Sequence, residues 1–236
     1  MSLSMRRIFA IVRKDRKDSM KSANIVPVLL IPVGMALMFA YVMPSDLDMM
    51  FEMYVGVILL NLLFISGVVP ANSLAEEKEK GTLRMLLYTP TSIAELLIGK
   101  NIHYFCLSLI GVLLSLLILQ VPISWGYFLV AVIPVAFFCI VLSSTVGLLA
   151  NNNGQIMITL FPVIMGMYFI SSMADLYNVA FIYTIKRFLP IEIFYDAFYV
   201  SYYGGSFPWF SLVVTLCWIT VISIIFAVVY RKQRYT

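Results

Sequence analysis

From Asn101 to Ala174 the chain runs for 74 residues without one Asp, Glu, Lys or Arg. A second uncharged stretch, 53–75, lies just upstream, and the charged island EEKEKGTLRMLLYTPTSIAELLIGK, residues 76–100, separates the two. No water-soluble core absorbs apolar sequence on this scale. The chain is 62% hydrophobic and 12% charged over 236 residues, against roughly 25% charged in an ordinary soluble domain. The solvent for most of it is lipid, and the expected fold is an all-α integral membrane protein.

A helix needs about 20 apolar residues to cross the hydrocarbon core. Residues 25–43 and 53–75 supply spans one and two. The 74-residue run is too long for two crossings and fits three, broken near Pro122 and at Asn151-Asn152-Asn153-Gly154-Gln155. That gives spans at 97–120, 125–149 and 156–173, with a sixth at 209–230 before the tail 231–236. Six spans place fourteen of the sixteen Lys and Arg residues on one side, leaving only Lys186 and Arg187 on the other. By the positive-inside rule both termini and the 76–96 loop are cytoplasmic.

Residues 1–24 precede span one. Met5, Ile8, Phe9 and Val12 recur at helical spacing among seven bases, the pattern of an amphipathic helix lying on the membrane surface. Residues 175–208 lie between spans five and six but are rich in Leu, Ile, Phe and Tyr. They read as two short outer interfacial helices, 176–188 and 191–202, broken at Pro190, with their apolar faces in the outer leaflet or against the spans. Tyr195, Phe198, Tyr199, Tyr202, Tyr203, Phe207 and Trp209 suit an interface belt.

The chemistry absent from the sequence narrows the function. Spans three to six carry no acid or base in their hydrocarbon stretches, whereas ion-driven carriers place ionisable groups there. Gly99-Lys100 lacks the upstream Gly and following Ser or Thr of a phosphate loop, so the chain has no ATP site of its own. No nucleophile, general base or metal-ligand set is evident, and Cys106, Cys139 and Cys217 read as small buried hydrophobes. No enzyme, no metal and no nucleic-acid partner is expected.

The island is therefore where a partner is expected to act. Glu76, Glu77 and Glu79 open it, Gly81 interrupts it, and Thr82 to Tyr88 reads as a short helix with Leu83, Leu86 and Leu87 as its apolar residues. Pro90 ends that helix, and Ser92 with Glu95 has capping-box spacing at the start of span three. Apolar side chains on a water-facing loop invite a protein cover.

The run Glu77-Lys-Glu-Lys-Gly81-Thr82-Leu83, then Leu86, Thr89-Pro90-Thr91-Ser92 and Gly99-Lys100, resembles the permease subunits of type-2 ABC exporters. The resemblance implies a coupling helix between spans two and three that docks a separate cytoplasmic ATPase, through Glu76, Glu77, Gly81, Thr82, Leu83, Leu86, Leu87, Pro90, Thr91 and Ser92. ATP and Mg would sit on that partner, with no cofactor on this chain. It also implies a second permease chain, identical or related, and a route between the two lined by spans one, two and five. Asn61, Phe64, Ser66, Met165 and Phe169 are the candidate path residues. Asn61, Ser66 and the Ser143-Ser144-Thr145 run equally suit hydrogen bonds between helices. The cargo expected for such an uncharged route is an amphipathic peptide, bacteriocin or hydrophobic drug leaving a bacterial plasma membrane. A lipid or lipid-linked glycan exporter and a non-transporting scaffold are the alternatives.

Overall fold

The computed structural model describes residues 4–21, 25–42, 47–81, 93–150, 152–177 and 180–235. Among them the chain is helical throughout: α1 Met5–Ser19, α2 Ile25–Tyr41, α3 Leu47–Glu79, α4 Ile93–Leu119, α5 Trp125–Leu149, α6 Asn153–Tyr177, α7 Ala180–Lys186, α8 Glu192–Tyr203 and α9 Trp209–Tyr235. Five of these, α3, α4, α5, α6 and α9, contain a stretch long and apolar enough to cross a membrane. The expected first span is a shorter apolar helix, with Pro32 inside it, so the described helices give five full-length crossings rather than six.

The fourth expected span, 125–149, has the bounds read from the sequence. The second does not. Its helix starts at Leu47, includes Asp48 and Glu52, and continues through Glu76, Glu77 and Glu79. At about 1.5 Å per residue its 33 residues reach roughly 50 Å, well beyond a hydrocarbon core of about 30 Å. The acidic start of the island is thus the end of this helix, and charges at both ends project from the apolar layer.

Pro70 explains a break within α3. A proline ring collides with the carbonyl four residues earlier. Here residues Leu62–Val68 widen into a π-helical segment, and the Val69 N–H donates to the Phe64 carbonyl, five residues back. The next amide, Ala71 N–H, donates to Ser143 Oγ of α5 at 2.9 Å. Gly147 sits beside the same point: a Cβ there would lie 2.8 Å from Ala71 Cα. The two backbones meet where only hydrogen fits between them.

Helix α5 is the centre of the bundle, with α3, α8 and α9 packed around it. Helices α6 and α9 are mostly uncovered, and their outward residues, such as Ile158, Ile224 and Val228, are aliphatic. Such faces cost nothing against lipid, where tails are as apolar as the side chains.

The segment between α6 and α9 takes the second of its two expected placements, against the spans. Helices α7 and α8 form on either side of Pro190, but α8 is not simply laid on an interface. Ile193, Phe194, Ala197 and Phe198 are completely buried, and the Phe198 ring centroid lies 5.5 Å from Phe51 and 5.9 Å from Phe128. Phe207 is buried as well, which leaves Tyr199, Tyr203 and Trp209 as exposed members of the expected belt. The apolar face of α8 is core sequence, packed against α3 and α5.

An ion pair fixes the same end. Lys186 Nζ lies 3.2 Å from Glu192 Oε1 and 4.8 Å from the Tyr195 ring centroid, and Ser171 Oγ donates to Glu192 Oε2 at 3.0 Å. Burial pushes the Glu192 carboxyl up to about 7 despite the pull of Lys186. The folded chain therefore binds a proton the unfolded chain releases, and stability declines as pH rises from about 4.5 to about 7. Melting temperature measured against pH in detergent should fall across that window, and Glu192→Gln should flatten the slope there even though Lys186 loses its countercharge.

Candidate functional site

The site is the end of the bundle where α1 crosses the end of α3 and the start of α4. It lies immediately on both sides of residues 82–92. Thr82, Leu83, Leu86, Leu87, Pro90, Thr91 and Ser92, and with them the expected coupling helix, lie outside the described residues. Glu76, Glu77 and Gly81 are described, as is the base of α4 that follows.

Helix α1 buries Ile8, Ile11, Asp15 and Ser19, a stripe at helical spacing. Met5 and Phe9, each 64% exposed, lie off this protein-facing stripe. The stripe rests on α4 at Gly99, where a Cβ would lie 2.9 Å from Ile11 Cβ and 3.3 Å from the Ile8 carbonyl. Gly99 is thus the seat of α1, and its neighbour supplies the charge.

Lys100 is almost completely buried and extends to two acids at once. Its Nζ lies 2.8 Å from Glu77 Oε2 and 3.4 Å from Asp15 Oδ2. Lys14 Nζ meets the other Glu77 oxygen, Oε1, at 2.5 Å. Two acids and two bases from α1, α3 and α4 therefore neutralise one another in a water-poor pocket, the arrangement that buried charges require. Burial raises the Asp15 carboxyl above its usual range, and Lys100 opposes that rise.

Three further contacts extend the clamp. Ser4 N–H donates to Glu95 Oε1 at 2.7 Å, and Arg7 Nη1 lies 3.6 Å from Glu95 Oε2, which ties the start of α1 to the first turn of α4. Lys78 Nζ donates to the carbonyls of Ala150 at 2.9 Å and Leu148 at 3.3 Å, at the C-terminus of α5, where a cation meets the negative end of the helix dipole. Lys80 and Glu76 pair one turn apart at 3.2 Å. Both stems of 82–92, the end of α3 and the start of α4, are thus gripped by the same short helix.

The candidate path residues divide. Asn61 and Ser66 are fully buried between α3 and α4. Asn61 Nδ2 donates to Ser115 Oγ at 2.6 Å and to the Gly111 carbonyl at 3.2 Å, and Ser66 Oγ donates to Ser108 Oγ at 2.6 Å. Ser143, Ser144 and Thr145 are buried too, bonded to Ala71, Asn101 and Val141 respectively. Asn61, Ser66, Ser143 and Ser144 make contacts between helices, whereas Thr145 bonds one turn back within α5. Phe64 is half-buried beside Leu63 and Ile164, and Phe169 is 55% exposed on α6. Met165 lines an apolar cavity of about 210 Å³ with Leu60, Leu63 and Tyr168.

Sequence reading placed Glu77 and the Gly99-Lys100 pair in one motif, but it missed Asp15 and Lys14 as their partners, and Arg7 as the partner of Glu95. One signal for Asp15 exists: it continues the Ile8–Ile11 stripe by one turn, so the face that seats α1 carries an acid.

No curated protein matches this chain. The family described as ABC-2 family transporter protein matches residues 16–230, nearly the whole length and every crossing helix. Members of that family are membrane components of ABC transporters, and an ABC ATPase partner is implied with them. The chain belongs to the ABC-2 transporter family, as a permease subunit of an ABC exporter.

Proposed function

We propose that this permease subunit carries an amphipathic peptide or hydrophobic antimicrobial out of a bacterial cell, and that a separate cytoplasmic ATPase drives it by docking on residues 76–92. The observation that supports this most is the clamp. A force applied to 82–92 enters α3 and α4 through bases held together by Lys100, Glu77 and Asp15, so the segment moves the spans rather than bending on its own stems.

Both termini and the 76–96 loop face the cytoplasm in this reading, and α2 completes six crossings. ATP and Mg belong to the ATPase. A second permease chain, identical or related, faces the first across spans one, two and five, covering part of the exposed flank of α6. The uncharged surroundings of Met165 and Phe169 favour an amphiphile over an ion or a sugar.

Co-purification tests the docking. The tagged chain, co-expressed with the ABC ATPase encoded beside it, should retain that subunit, and reconstituted vesicles should export a hydrophobic peptide only with ATP. Retention without peptide export would keep the docking and remove the cargo. Failure to retain any ATPase would leave the scaffold alternative.

A further inference from the structure

A groove of about 540 Å³ lies between the end of α1 and the flank of α4, apart from the clamp. Its mouth is basic: Arg16, Lys17 and Lys21 line it, and no carboxylate does. Its floor is apolar and descends along α4 through Ile102, Cys106 and Ile110, at one-turn spacing. His103 lies between mouth and floor, only 8% exposed, and its Nε2 has no hydrogen-bond partner among the described residues. A buried imidazole nitrogen left without a partner costs desolvation unless a ligand completes it.

These features specify an occupant. Three bases beside a buried imidazole call for an anion with several acceptor oxygens. The floor calls for an apolar chain, because Ile110 lies about 10 Å farther along the α4 axis than His103, inside the membrane-crossing stretch Ile98–Leu119. A partner protein in water does not reach that depth, and free phosphate leaves the floor uncovered. Bilayer lipid supplies both parts in one molecule. Basic pockets beside crossing helices hold anionic headgroups in this way.

We infer that this groove binds an anionic phospholipid, its phosphate against His103, Arg16 and Lys21 and one acyl chain running past Cys106 to Ile110. Bound there, the lipid pins the end of α1 to the side of α4 and reinforces the seat at Gly99. The inference depends only on the membrane setting of α4 and not on the cargo.

Cys106 makes it testable, because it is exposed in the groove, while Cys217 is exposed on α9 and serves as an internal control. The full chain is reconstituted in phosphatidylcholine vesicles, or in an equal mixture with phosphatidylglycerol, and labelled with a membrane-permeant maleimide. The mixture should slow labelling of Cys106 severalfold and leave Cys217 unchanged. Each surface base contributes about a fivefold gain in affinity for anionic lipid, so Arg16→Ala with Lys21→Ala should weaken binding roughly thirtyfold and abolish the protection. His103→Ala should reduce it. Equal Cys106 labelling in the two lipids overturns the inference, as does protection that survives the double substitution. Protection by glycerol phosphate added to phosphatidylcholine vesicles would make this a phosphate site and overturn the lipid assignment.

Discussion

Lys100→Met should cost the chain about 3–5 kcal/mol, the usual effect of removing one partner from a buried ion pair. Lys100 is 4% exposed, and without it Asp15 and Glu77 face each other in a pocket where Lys14, itself half in water, is the nearby base among the described contacts. Asp15 would then have to take up a proton or pull α1 away from α4. The expected result in detergent is a fall in melting temperature of roughly 10 °C, with α1 becoming open to protease. Asp15→Asn combined with Lys100→Met should recover much of the loss, because the pair acts as a unit. An unchanged melting temperature for Lys100→Met would mean that these charges are solvated and that no clamp exists.

Gly147→Val should be nearly as damaging, through packing. Its new Cβ would lie 2.8 Å from Ala71 Cα and 2.9 Å from the Ala71 carbonyl oxygen. Those are backbone atoms of a buried helix, so no side chain can swing aside. Separating α3 from α5 at this point also strains the Ala71 N–H bond to Ser143 and the Lys78 bonds to Leu148 and Ala150. Overpacking of this kind costs about 1–3 kcal/mol, and the lost hydrogen bonds add about 1 kcal/mol each. Gly147→Ala meets the same atoms without the branched methyls and should be milder. Thermal melts of the two variants measure the difference, and equal stability of Gly147→Val and the parent would contradict the close approach.

The crossings were legible because lipid imposes one simple demand, an uninterrupted apolar stretch of sufficient length. The helix at 125–149 has the bounds read from the sequence for that reason, since Pro122 with Ser124 and the Asn151–Gln155 run close an uncharged stretch on either side. The helix that holds span two runs past 53–75 at both ends, because a helix does not stop where its charges begin. Asp48 and Glu52 find Tyr203 and Tyr195 as hydrogen-bond donors at 2.7 Å, and Glu77 finds Lys100 and Lys14. The packing of α8 was hidden for the opposite reason. Its composition, aromatic and aliphatic with a few acids, is the same for a helix at an interface and for one pressed onto a core. Only the Phe51, Phe128 and Phe198 contacts distinguish them. The clamp was least readable of all, because Asp15 and Lys100 stand 85 positions apart and local pattern carries no information about such a pair.

The family motif thus has two physical halves. Gly99 and Lys100 seat and neutralise α1, and the acidic end of α3 supplies the countercharge. Residues 82–92 between them are the segment proposed to meet the ATPase, so the most direct measurement concerns that segment. Leu86→Pro keeps every residue of the clamp and the crossing helices and disrupts only the helix expected between the two stems. ATP hydrolysis by the partner ATPase should be measured in vesicles holding the parent or the variant, with hydrophobic peptide added. The account predicts that Leu86→Pro inserts normally and that peptide-stimulated hydrolysis falls to the rate of the ATPase alone. Stimulation equal to the parent's would contradict it and move the coupling surface elsewhere.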